Sequence, residues 1–154
     1  SLWGAGFSRA WIPGGGATSI ATKPFAGNRL TSDPRRYARN ADAASQLGSQ
    51  AIGDPTVGWV RAAFAFMRRL CKPRAAIEIH TPTLVIAAGA DPICATPAIE
   101  RFASRLKAGH AIVLPGARHE ILMETDAIRD QFWAAFDAFV PGTPVASYGC
   151  LLYT

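Results

Sequence analysis

The sequence predicts an α/β fold, a helical first half followed by a short parallel sheet flanked by helices. Three observations carry this. Thr83-Leu-Val-Ile-Ala-Ala88 is an apolar run with no polar alternate, as expected for a parallel strand covered on both faces. His110-Ala-Ile-Val-Leu114 is a second strand, and a helical pattern fills the interval, so the unit reads as a right-handed crossover. Apolar stripes at helical spacing mark residues 59 to 70 and 126 to 139, and a capping pair at Asp33-Pro34 opens a further helix before them.

Composition narrows the class. With 154 residues, 49 % hydrophobic and 18 % charged, the chain can bury a moderate core and is not globally disordered. No apolar run reaches transmembrane length, and Ser1-Leu-Trp-Gly4 lacks the basic region of a signal peptide. Cys71, Cys94 and Cys150 make no disulfide framework. An odd, sparse set fits a reducing compartment, so the expected location is cytoplasmic, with peripheral contact at a membrane. Net charge is +5, unevenly placed: residues 1 to 80 carry 11 basic and 4 acidic side chains, residues 81 to 154 carry 5 and 7. The basic half could face anionic lipid or nucleic acid. Its charges are scattered and its aromatics fall at helical spacing, so no nucleic-acid partner is expected.

The elements follow in order. Pro13-Gly-Gly-Gly16 reads as a turn or flexible connection, and no Gly-Lys-Ser/Thr follows to make a phosphate loop. Asp33-Pro34 caps and opens a helix to about Leu47. Asp54-Pro55 repeats the device and opens a stronger helix to about Leu70. Val60, Phe64, Met67 and Leu70 form its stripe, widened by Trp59, Ala63 and Phe66. Pro73 breaks the pattern and marks a boundary near residues 71 to 76. After the first strand, Thr96 caps a helix with Pro97 at its first position. Ile99, Phe102, Ala103 and Leu106 face its core side, and Lys107-Ala-Gly109 ends it. A last helix spans about Asp126 to Phe139, stopped by Pro141-Gly142. In the tail, Leu151-Leu-Tyr153 is a weak candidate for an edge strand.

The chemistry gathers beyond the two strands. Gly89-Ala90-Asp91 follows the first and Pro115-Gly116-Ala117-Arg118-His119 the second. Asp91 alone reads equally well as a turn residue, and His119 alone as a loop histidine. Together they sit where open α/β sheets bind ligands, an acid placed to orient a base. Glu120 should diverge from His119 and serve as a cap or a partner for Arg118. Glu124 and Asp126 should serve the start of the last helix. His80 and His110 read as structural, and no Cys/His spacing suggests a metal. A nucleophile is not evident. The pentapeptide Gly-x-Ser-x-Gly is absent, and Gly6-Phe-Ser8-Arg-Ala10 is only its distant likeness, with Pro13 truncating the helix that must follow. Cys94, three residues past Asp91, is expected to pack against the loop.

Three segments carry a family likeness. These are Pro24-Phe-Ala-Gly-Asn28-Arg-Leu-Thr-Ser-Asp33-Pro34-Arg-Arg-Tyr37, Thr56-Val-Gly-Trp59, and Pro115-Gly-Ala-Arg-His119-Glu-Ile-Leu122-Met-Glu124 with the last helix. In this order they resemble the bacterial lysophospholipase-like and monoacylglycerol-lipase-like α/β-hydrolases. The resemblance implies the C-terminal part of that fold: a helical cap over residues 1–75, the end of the hydrolase core over 76–142, and a tail over 143–154. It implies Asp91 as triad acid and His119 as triad base, with the serine and oxyanion loop lying before residue 1. The chain alone should then be inactive, while the intact parent cleaves a lipid-like carboxylic ester without a cofactor. The expected partners are that substrate, the missing N-terminal half or a second copy, and a membrane surface. Haloperoxidase-like or amide-cleaving chemistry, or a non-catalytic lipid- or protein-binding module, stand as alternatives.

Overall fold

The computed structural model describes residues 6–17 and 23–140. Helix α1 spans Pro34–Leu47. Asp33 Oδ1 accepts the amide N–H groups of Arg35 (2.8 Å) and Arg36 (3.2 Å), two donors that a helix start leaves without intrahelical partners. Tyr37 is its buried anchor. Its hydroxyl donates to Lys23 O at 3.0 Å, and its ring meets Phe25 edge-on.

Helix α2 spans Val57–Leu70, two residues later than Asp54-Pro55 predicts. The cap is Thr56, whose Oγ1 accepts the amide of Trp59 at 3.2 Å. Asp54 is engaged elsewhere: its Oδ2 accepts the Gly16 amide at 3.1 Å, and its backbone N–H donates to Gly16 O at 2.9 Å. Ile12 N–H donates to Pro55 O and Val57 N–H to Ala10 O, beside an antiparallel bridge between Trp11 and Thr56. The glycine-rich stretch is thus a turn tied to the entrance of α2 by backbone bonds, a non-local pairing that composition does not reveal.

Pro73 opens a short helix, α3, Pro73–Ile77. Strand β1, Thr83–Ala88, matches the sequence expectation. Helix α4, Thr96–Ala103, starts one residue earlier than expected. Thr96 is its first residue rather than its cap, because its hydroxyl donates back to Ala88 O at 2.6 Å. It also ends earlier, in turns that bond Arg105 to Phe102 and Leu106 to Ala103. Strand β2, Gly109–Leu114, pairs parallel with β1 from Thr83↔Gly109 to Ala88↔Leu114. Helix α5, Asp126–Phe139, lies where the periodicity puts it.

Helices α4 and α5 contact both strands. The core sits at the carboxyl end of the sheet: Ala88, Leu114 and Ala117, packed by Ile86, Ile121, Ile128 and Phe132. Only that end of β1 is buried, and His110, Ala111 and Ile112 of β2 are exposed. The expectation of strands covered on both faces therefore holds only for their last residues, since the described sheet has just these two strands. Helix α2 buries none of its residues, and Trp59, Phe64 and Phe66 stand more than half exposed at 64 %, 57 % and 58 %. Among the described residues, no helix is long and apolar enough to cross a membrane. The tail, including Leu151-Leu-Tyr153, lies outside the described residues.

Candidate active site

The strand register sets up the site. Ala88 faces Leu114, and the pairing continues past both strands: Gly89 N–H donates to Leu114 O and Ala90 N–H to Ala117 O, each at 2.9 Å. A straight continuation would set Asp91 opposite Ala117. The turn at Pro115-Gly116 advances the second chain, so that His119 arrives there instead. Ala117 N–H closes this turn on Leu114 O at 3.3 Å. Pro115 supplies the fixed φ of its second position, and Gly116, at φ 76°, the left-handed third. Gly89 is needed for closeness. A Cβ there would come 2.9 Å from Leu114 O and 3.2 Å from Pro115 Cα, both backbone atoms.

The outcome is a 3.0 Å hydrogen bond between His119 Nδ1 and Asp91 Oδ2, spanning 28 residues of sequence. An ionised carboxylate only accepts, so Nδ1 carries the proton, and in the neutral ring Nε2 then keeps its lone pair. The Asp91 side chain is 5 % exposed and that of His119 34 %, so the acid is shielded while the base stays reachable. Burial pushes the Asp91 carboxyl up. The Cys94 amide, the His119 imidazole and the Ile93 amide together outweigh it, and Asp91 lies below the ordinary carboxylate range. Asp91 also fills the turn role that it could have had alone. Its Oδ1 accepts the N–H of Ile93 (2.8 Å) and Cys94 (3.0 Å), leaving Oδ2 for the histidine.

The histidine loop is held by a carboxylate that the sequence reading assigned elsewhere. Glu124 is fully buried at 0 % exposure. It accepts the Arg118 N–H at 2.8 Å, the Ser32 N–H at 3.1 Å and the Ser32 hydroxyl, so it does not serve the start of α5 as expected. Asp126 lies in the first turn of α5, as expected, and also pairs with Arg36. Arg118 does not turn to Glu120. Its guanidinium donates to Asn28 O and Thr31 O, each at 3.2 Å. The Glu120 N–H donates to Leu30 O at 2.8 Å, and Thr31 Oγ1 to Met123 O at 2.6 Å. Both neighbours of His119 are therefore bonded to residues 28–32. No local pattern distinguishes Glu124 from an acid that greets a helix end, because the Ser32 donors it holds are 92 residues away.

Ser8 lies in an exposed single-turn helix, Phe7–Arg9, seated on the first turn of α2. None of its hydrogen bonds reaches His119 among the described residues. Cys94 is exposed rather than packed against the loop. Its thiol, a carboxylate oxygen of Asp91 and a ring nitrogen of His119 lie within 4.8 Å of one another. Spacing alone hid this group, because the histidine arrives from a different strand. His80 is exposed, and His110 stands on β2 against the edge of Phe139.

Residues 12–126, which include this acid–histidine pair, match a family model described as serine aminopeptidase, S33. The chain belongs to the serine aminopeptidase family of α/β-hydrolases. Two relatives of this chain are Lysophospholipase L2 from Escherichia coli strain K12 and from E. coli O6:H1 strain CFT073. Each is 34 % identical over 113 residues, which make up 69 % of this chain and 33 % of the relative. The chain thus spans about a third of the length of these curated relatives. A solved soluble variant of monoglyceride lipase from Saccharomyces cerevisiae, in complex with a substrate analog, superposes with a TM-score of 0.57. It is 18 % identical, and the match covers 72 % of this chain and 39 % of that one, a likeness of fold.

Proposed function

We propose that this chain supplies the acid and base of a serine hydrolase acting on lipid-like carboxylic esters, and that the nucleophile and oxyanion donors come from residues beyond it. The observation that carries the reading is the His119–Asp91 hydrogen bond at the carboxyl ends of paired parallel strands. The names of the two E. coli relatives favour a lysophospholipid-like ester over other acyl compounds.

In this reading, Asp91 holds the imidazole with Nε2 free. As the serine oxygen attacks the ester carbonyl carbon, Nε2 takes the hydroxyl proton, and Asp91 stabilises the imidazolium. His119 then returns the proton to the alcohol as the carbon–oxygen bond breaks. Water, deprotonated by the same nitrogen, releases the fatty acid from the serine. Residues 1–75 act as a cap whose exposed aromatic stripe on α2 faces the acyl chain or a membrane surface, and residues 76–142 belong to the core.

The test is a chimera in which this chain replaces the matched stretch of Lysophospholipase L2, assayed beside the isolated chain. Turnover of lysophospholipid by the chimera, its loss in His119→Ala, and no turnover or fluorophosphonate adduct on the isolated chain are expected. Turnover confined to aminoacyl amides would replace the ester reading with peptide chemistry. A covalent adduct on Ser8 of the isolated chain would overturn the division of labour altogether.

A further inference from the structure

We propose that Asp91, Cys94 and His119 form a three-ligand site for a thiophilic divalent cation, zinc in the first instance, with a fourth position open to water. The three residues arrive from different parts of the chain but converge: Asp91 and Cys94 from the loop after β1, His119 from the loop after β2. Their ligating atoms lie within 4.8 Å of one another. Two ligands of one tetrahedral zinc, at ~2.0–2.3 Å from the metal, stand roughly 3.3–3.8 Å apart. Side-chain rotation closes that gap, because Cys94 is exposed and the His119 side chain is 34 % exposed.

The backbone around the site is already arranged as an outer shell. The N–H groups of Ile93 and Cys94 fix Asp91 Oδ1, leaving Oδ2 directed at the histidine and available to a metal. The donor set is carboxylate, thiolate and imidazole. It suits zinc and excludes magnesium and calcium, which take oxygen donors alone. Binding releases the thiol proton to solvent and leaves a site without net charge.

Occupancy changes what the histidine can do. Coordination through Nδ1 breaks the bond to Asp91 and moves the ring proton to Nε2, so the nitrogen that would accept a proton becomes a donor. If the proposed hydrolase reading holds, zinc is an inhibitor that competes for the triad base. The binding itself does not depend on that reading.

The test uses metal alone on the full 154-residue chain. Cobalt(II) titration should give a thiolate-to-cobalt charge-transfer band that zinc displaces, and zinc should protect Cys94 from alkylation as read by peptide mass. The band should persist in Cys71→Ser and Cys150→Ser and vanish in Cys94→Ser. Zinc affinity should fall at least ~10-fold in His119→Ala and in Asp91→Asn, each checked for native circular dichroism. Absence of the band in the wild-type chain, its survival in Cys94→Ser, or unchanged zinc affinity in both other variants would each overturn the site.

Discussion

His119 and Asp91 differ in what each can lose. In the chimera with the E. coli relative, His119→Ala removes the proposed proton acceptor, and kcat should fall ~10³-fold or more with KM little changed. Asp91→Asn is the subtler variant. Its carbonyl can still accept the Ile93 and Cys94 amides, but its NH₂ group then faces the histidine and selects the tautomer with Nε2 protonated. Its kcat should drop by a similar ~10³–10⁴-fold while the fold is retained. Wild-type turnover in both variants would remove this pair from the chemistry. Acid tests the same carboxylates in folding. Asp33 and Asp91 both sit below the ordinary carboxylate range, so the stability they lend is present above the unfolded pKa and is lost as pH falls through their folded values. The unfolding midpoint should be flat near neutrality and decline below about pH 4, less steeply in Asp33→Asn. The pairing of Asp91 with His119 could be read from sequence, because each follows a recognisable strand. The role of Glu124 could not, since a buried acid in a loop has no periodicity to betray it.

At the scale of elements, the local signals were read well and the non-local ones missed. Strand β1 and helices α1 and α5 lie where apolar spacing and capping residues put them. The start of α2 was misplaced because Asp54, as good a cap by type as Thr56, is drawn away by Gly16. Thr56→Ala should therefore destabilise the chain by about 1 kcal/mol, and Asp54→Ala should instead loosen the Gly14–Gly16 turn, as seen in its amide exchange. The clasp of Glu124 is the costlier element to break. Glu124→Ala leaves the Arg118 amide and both Ser32 donors, all partly buried, without their acceptor and should cost about 3 kcal/mol in urea unfolding. Gly116→Ala and Gly89→Ala attack the same loop from the other side. The first strains a left-handed turn, and the second forces apart two backbones that approach within van der Waals contact.

Across the whole molecule, the core is concentrated at the end of the sheet that bears the site, while α2 and the body of β2 remain open. Apolar surface of this extent calls for a partner. The chain by itself should self-associate as concentration rises, read by light scattering after size exclusion, and a monomer with a sharp urea transition would argue that it is self-sufficient. The sequence could foreshadow this through the breadth of the α2 stripe, but not which surface would lie bare, because burial depends on strands that its own pattern does not supply. The Ser32–Glu124 contact has a kinetic meaning as well. It joins residues 92 apart and so closes a loop containing α1 to α4 and both strands. Loop-closure entropy weighs against such a contact until most of the intervening chain is ordered, whereas the helices can form from local signals alone. The histidine loop should therefore be among the last parts to set during refolding. In pulsed hydrogen exchange, the Arg118 and Ser32 amides should gain protection after those of α1 and α5, so that the order of one imidazole reports on the maturation of the entire chain.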